Sequence, residues 1–291
     1  MLVVLAAIWG SSFMFIKVAV RALDPVTVVW LRLTLGALVL VPLAFAGQGR
    51  DALPQFRAAA WRLTLLGIFN SALPFTLLAW AELRLDSGVA AILQGAAPLF
   101  TALISLRFGL DRIGGMRFAG ILVGFAGVAL LVGAHGGNDL LAALAVLGMA
   151  FCYAGSSVFA AHRLGDTSSI VVAAGSMGIA ALVTLPFGLA TLPGHMISAK
   201  ELGSVAALGL LCTGVAYVLY FAILQGAGAA RSMLVTYLVP AAAVAYGAVI
   251  LGEPLQVTAV VGLVVILGGV ALGSGVVRPR RGTAAADSAA A

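Results

Sequence analysis

Apolar residues in this chain run in long, nearly unbroken stretches. They do not alternate as in a half-buried strand, and they do not form the one-sided stripe of a surface helix. Ten stretches can be read, at about 2–20, 26–46, 60–81, 86–106, 116–133, 140–161, 169–190, 202–222, 230–250 and 256–275. Each comes near the roughly 20 residues a helix needs to cross a hydrocarbon core. Polar and turn-forming residues gather between them, as at Asp24-Pro25, Gly47 to Pro54, Gly114-Gly115, Pro193-Gly194 and Gly252 to Pro254. Barrel strands would alternate over about 10 residues, and these runs do not. The pattern predicts an all-α polytopic membrane protein with ten transmembrane helices.

Composition agrees. Hydrophobic residues make up 63% of the chain and charged residues 9%, against roughly 25% charge in soluble domains. The lipid bilayer is therefore the expected solvent. The net charge of +6 is scattered, with no basic stripe interleaved with aromatics, so no nucleic-acid partner is expected. Cys152 and Cys212 sit inside apolar runs without metal-ligand spacing; no metal or cofactor is expected. No basic segment precedes the first run, and Lys17 and Arg21 lie at its far end. It reads as a retained span rather than a signal peptide. The tail 278–291 is of low complexity and is predicted to be disordered.

Loop charge orients the spans. The side holding the N-terminus carries Arg50, Arg57, Arg62, Arg107, Arg112, Arg117, Arg163, Arg231, Arg278, Arg280 and Arg281; the other carries Arg21, Arg84 and Lys200. Both termini are expected in the cytoplasm, with the protein in a bacterial inner (plasma) membrane.

The chain also repeats itself. Residues 120–130 read GILVGFAGVAL and residues 262–272 read GLVVILGGVAL, 142 positions later. At the same offset Pro98 meets Pro240, Asp111 meets Glu253, and Gln94 meets Thr236. No gap is needed from about 80 to 130. Two repeats follow, 1–135 and 136–277, of five spans each. Five is odd, so the second enters the membrane inverted, the arrangement of many secondary transporters with substrate held near the midplane.

WGSSFMFIKVAV at 9–20, LRLTLGALVLVPL at 31–43, the Pro98 and Pro240 helices and LGEPLQVTAVVGLVVILGGVAL at 251–272 resemble the EamA family of the drug/metabolite transporter superfamily. Asp111 stands where that family's pattern has Glu. The resemblance implies ten spans, cytoplasmic termini and export of amino acids, other metabolites or drugs.

Polar residues deep in a span are costly and mark candidate sites. Asn70, Gln94, Tyr153 and Thr236 are such residues, with Tyr237 beside them. Gln94 and Thr236 each precede a proline by four residues, on the turn whose carbonyl a proline cannot serve. The Pro98 and Pro240 helices are thus expected to be kinked cavity walls. Trp9 and Phe13 are one turn apart and Tyr217 is a further aromatic; together they suit a planar substrate or a cation. Lys17 and Arg32 lie nearer an outer end and read as vestibule charge, or as snorkelling side chains with Lys17 near Asp24. Asp111 and Glu253 are expected to cap the helices that follow them. Trp30, Trp61, Trp80 and Tyr220 read as interfacial anchors.

No Asp or Glu falls mid-span; Glu82 and Asp86 flank a turn, which leaves a carboxylate proton relay without a residue. No phosphate-binding GxxxxGK[ST] loop is present. His135, His162 and His195 fall at span ends, against an intramembrane enzyme. No filter-like repeat marks a channel. The expected partner is a small-molecule substrate exported by alternating access, amino acids or amphipathic and aromatic compounds, with multidrug or organic-cation efflux as the alternative and a channel or a non-transporting membrane protein as readings of a different class. Gly120-x-x-x-Gly124 and Gly269-x-x-x-Gly273 are expected to pack within the chain, with a homodimer as the other use of such faces.

Overall fold

The computed structural model describes residues 1–110, 114–134, 138–194, 196–228, 232 and 234–273. Asp111, Arg112, His135, His195, Arg231 and the tail 278–291 lie outside them. Every regular element among the described residues is helical. In chain order the main helices are α1 (Leu2–Ala19), α2 (Pro25–Gln48), α3 (Ala60–Ala81), α4 (Ser87–Arg107), α5 (Gly115–Ala134), α6 (Asp139–Arg163), α7 (Ser169–Ala190), α8 (Ala199–Ala227), α9 (Val235–Leu251) and α10 (Val257–Gly273). Eight are long and apolar enough to cross a membrane, and α9 and α10 are shorter apolar helices. Leu38, Leu182, Val249 and Val264 stand more than half exposed, a surface that only lipid would solvate. The protein is an integral membrane protein.

Local chemistry sets the ends. Asp24 caps α2 by accepting from the Val26 N–H at 2.9 Å, with Pro25 in the first turn where its missing N–H is harmless. Gly252 ends α9 in the left-handed region, φ 70°, which a residue with a Cβ rarely adopts. Three helices contain wide π turns: Ile68–Ala72 in α3, Ala207–Val215 in α8 and Gly247–Leu251 in α9. The two expected proline kinks differ. Pro240 lies inside α9. At Pro98 the helix is broken instead: one segment ends at Gln94, Gly95 and Ala96 form a turn, and a second begins at Ala97.

Small residues let the backbones approach. The glycine faces of α5 and α10 meet each other. A Cβ on Gly120 would stand 2.6 Å from the Gly273 nitrogen, and one on Gly269 would collide with the backbone of Gly124. These faces are covered within the chain. Gly10 is pressed against Ala242, joining α1 to α9, and Gly67 against Ser176, joining α3 to α7. The adjacencies have a regular form. Helix α1 packs on α9 as α6 does on α4, α2 on α8 as α7 on α3, and α3 on α6 as α8 on α1. The pairs α2–α7, α4–α9 and α5–α10 also pack together.

Candidate functional site

A cavity of about 210 Å3 lies among α1, α2, α3, α4, α6, α8 and α9. Drug-sized sites run to roughly 300–1,000 Å3, so this one suits a small metabolite. Trp9 and Phe13 line it from α1, Asn70 and Phe75 from α3, Gln94 and Gly95 from α4, Tyr153 from α6, Tyr217 from α8, and Thr236 and Pro240 from α9. The local breaks in the helices place these groups. Asn70 rides on the π turn of α3, and Gln94 ends the first segment of the broken α4. Trp9 meets Tyr217 edge-on at 6.2 Å and Tyr220 at 5.6 Å. Phe75 and Tyr217, both on the wall, stand 142 residues apart, the repeat offset.

One cation joins the wall. Arg32 is 6% exposed and lines the cavity. Its Nε donates to the Thr213 hydroxyl at 3.1 Å, which itself donates to the Leu208 carbonyl at 2.9 Å. Its guanidinium carbon lies 4.0 Å from the centre of the Phe75 ring, a cation–π contact that holds the fork in place. Arg32 neither snorkels nor sits in a vestibule.

Beyond the cavity, the turn between α3 and α4 gathers the other charges. Lys17 donates to the carbonyls of Glu82 and Leu85, both at 2.7 Å. It is held by these carbonyls rather than paired with Asp24. Glu253 accepts from the Ser87 N–H at 2.9 Å, the Ser87 hydroxyl at 2.7 Å and the Gly88 N–H at 3.4 Å. It therefore caps α4 from across the molecule, not the helix that follows it. Glu82, just past the span Ala60–Ala81, is fully buried. Burial pushes its carboxyl well above the usual carboxylate range; Lys17 and Arg32 oppose that shift and Glu253 adds to it.

The profile of the EamA-like transporter family matches residues 1–133 and 140–275. This chain belongs to that family. It is 26% identical over 268 residues to an uncharacterized transporter of Archaeoglobus fulgidus, covering 90% of this chain and 93% of the relative. It is 28% identical over 262 residues to the uncharacterized inner membrane transporter YedA of Escherichia coli K12, covering 86% and 81%. A solved crystal structure shares the fold at TM-score 0.67 and 22% identity, covering 94% of this chain and 95% of that one.

Within this EamA-like transporter the structure brings together Trp9, Phe13, Asn70, Gln94, Tyr153, Tyr217 and Thr236. Tyr237 is not among the lining residues. The α9 face toward the cavity carries Thr236, Val239 and Pro240, and Tyr237 is turned about 100° from Thr236 on the helix. Pro98, in the first turn of the second α4 segment, is off the wall too. Tyr220 and Trp30 are not simple interfacial anchors: Tyr220 meets the Trp9 ring at a tilt of 40°, and Trp30 lies against Gly188. Sequence reasoning passed over Phe75, Ser12 and the inward turn of Arg32. A lone charge inside the apolar run 26–46 was the available signal for Arg32.

Proposed function

We propose that this EamA-like transporter is a secondary or facilitative carrier, not an enzyme. It works by alternating access with ten spans in two inverted five-helix repeats, 1–135 and 136–277, and a cytoplasmic tail, 278–291. The helix adjacencies support the repeat: the most extensive contacts that cross between helices one to five and six to ten have a counterpart five helices on, or are their own counterpart, whereas the smaller α4–α10 and α5–α6 contacts have none as extensive. The loop charges support cytoplasmic termini.

The substrate is a small amphipathic carboxylate, an amino acid or aromatic metabolite above all, moved outward. The observation that carries this is Arg32. A single guanidinium with a fixed fork stands in a small cavity walled by aromatic rings and by the amides of Asn70 and Gln94. Such a fork matches a carboxylate, the rings match an apolar or planar body, and the amides match polar substituents. The same cation disfavours the organic-cation alternative.

The test is labelled counterflow in liposomes holding the purified protein, with amino acids, aromatic acids and aromatic cations as the panel. Exchange of carboxylates with little exchange of cations is expected. Exchange of cations alone overturns the substrate class. No exchange across the panel, from protein shown to be folded, overturns the carrier reading.

A further inference from the structure

Arg32 and Glu82 are the two buried charged residues among those described. The cavity accounts for Arg32. Glu82 is 0% exposed, and neither of its carboxylate oxygens has a hydrogen-bond partner. None of the charged groups around it hydrogen-bonds its carboxyl. From α1, Lys17 gives its hydrogen bonds to the Glu82 and Leu85 carbonyls. From α2, Arg32 gives Nε to Thr213 and lies over Phe75. From the turn between α9 and α10, Glu253 holds Ser87 and Gly88 and adds a like charge. An ionised carboxylate left without hydrogen bonds in such a place is costly; a neutral one is much less so.

The α1–α2, α3–α4 and α9–α10 turns share one end of the bundle, because helices alternate in direction. Lys17 ties α1 to the α3–α4 turn there, and Glu253 ties the α9–α10 turn to the start of α4. Both ties meet at the α3–α4 turn and the start of α4, next to Glu82, as a closed end would require. When the end opens, water reaches the carboxyl and the cost of ionising it falls.

Resting on the carrier reading for its purpose but not for its test, we propose that Glu82 is a proton-binding site: it holds a proton whenever this end is closed and releases it to solvent when the end opens. The sign follows from linkage. The closed form binds more protons than the open form, so acid favours closure. As pH rises through the raised value the closed form loses its advantage, by up to about tenfold per pH unit for one linked proton.

The experiment needs no substrate. Leu85, 1% exposed beside the turn, is replaced by Cys in a background with Cys152 and Cys212 changed to Ser. Maleimide labelling is followed from acid to alkaline pH in detergent, with Glu82 or with Glu82→Gln, a permanently neutral mimic. The ratio of the two rates removes the thiol's own pH dependence. A ratio that climbs several-fold with pH is expected, with Glu82→Asp restoring the climb at a shifted midpoint. A flat ratio overturns the proposal, as does a climb that Glu82→Gln retains. Should Leu85→Cys fail to fold, infrared spectra of the native chain carry the test: a protonated carboxyl band that titrates and is absent in Glu82→Gln supports the site, and its absence overturns it. Failed counterflow with a climbing ratio would overturn the carrier reading alone.

Discussion

Arg32 sits on the cavity wall with a hydroxyl at its Nε and an aromatic face 4.0 Å from its guanidinium carbon. Glu82, on the α3–α4 turn, is more deeply buried and has neither kind of support. Both charges fall in the first half of the chain. At an offset of 142 Glu82 corresponds to Leu224, which lies inside α8. The contrast teaches a rule for buried charge. A side chain that keeps its charge through the working cycle is given partners and fixed in one orientation. A side chain whose charge changes is left without partners in one state, so that the change itself moves the equilibrium.

The contrast can be broken at several points. Arg32→Gln carries the largest expected effect: loss of a charged hydrogen-bond partner worth about 1.5–3 kcal/mol should raise KM for carboxylates by one to two orders of magnitude in counterflow. An unchanged KM would remove Arg32 from the site. Lys17→Met should lower the thermal midpoint, because two charge-assisted bonds to carbonyls vanish at a loss of about 2 kcal/mol; a midpoint equal to wild type would show that the end is not held by this tie. Phe75→Leu keeps the cavity apolar and removes the ring under the guanidinium, about 0.5–2 kcal/mol. It should raise KM less than Arg32→Gln does, and an equal loss would mean that the ring meets substrate directly. Glu82→Leu should change stability least, leaving the midpoint level or higher, since a buried carboxyl without hydrogen-bond partners carries a desolvation cost that an apolar group does not. A marked drop would show that Glu82 has structural support not visible in its surroundings.

Much of this fold was legible because lipid imposes a simple rule on sequence. All ten apolar runs match helices to within a few residues, apart from α8, which extends to Ala227, and α9, first described as a continuous helix from Val235. The cavity was legible where polarity and depth coincide, as at Asn70, Gln94 and Thr236. What was hidden depends on rotation and long-range contact. Tyr237 differs from Thr236 by one step of the helix, and span position alone does not say which of them faces inward. Glu82 lies at the end of a run, where exposure is the usual outcome; in the folded chain it is buried, with the charges of Lys17 and Glu253, 65 and 171 residues away in sequence, close by. Glu253 has the type and spacing of a local cap, and only the folded chain reveals that its target is α4.

The glycine seam between α5 and α10 separates two kinds of inheritance. Neither helix contributes a side chain to the cavity, and their closest approach is backbone against backbone at Gly124 and Gly269. Residues there are constrained by having no room, whatever the cargo. On the proposed carrier reading, the cavity residues of α1, α3, α4 and α8 answer to cargo and little to that seam. A lineage of such proteins can therefore rewrite what it carries, one wall residue at a time, while the seam stays the same, and substrate range can diverge far faster than architecture.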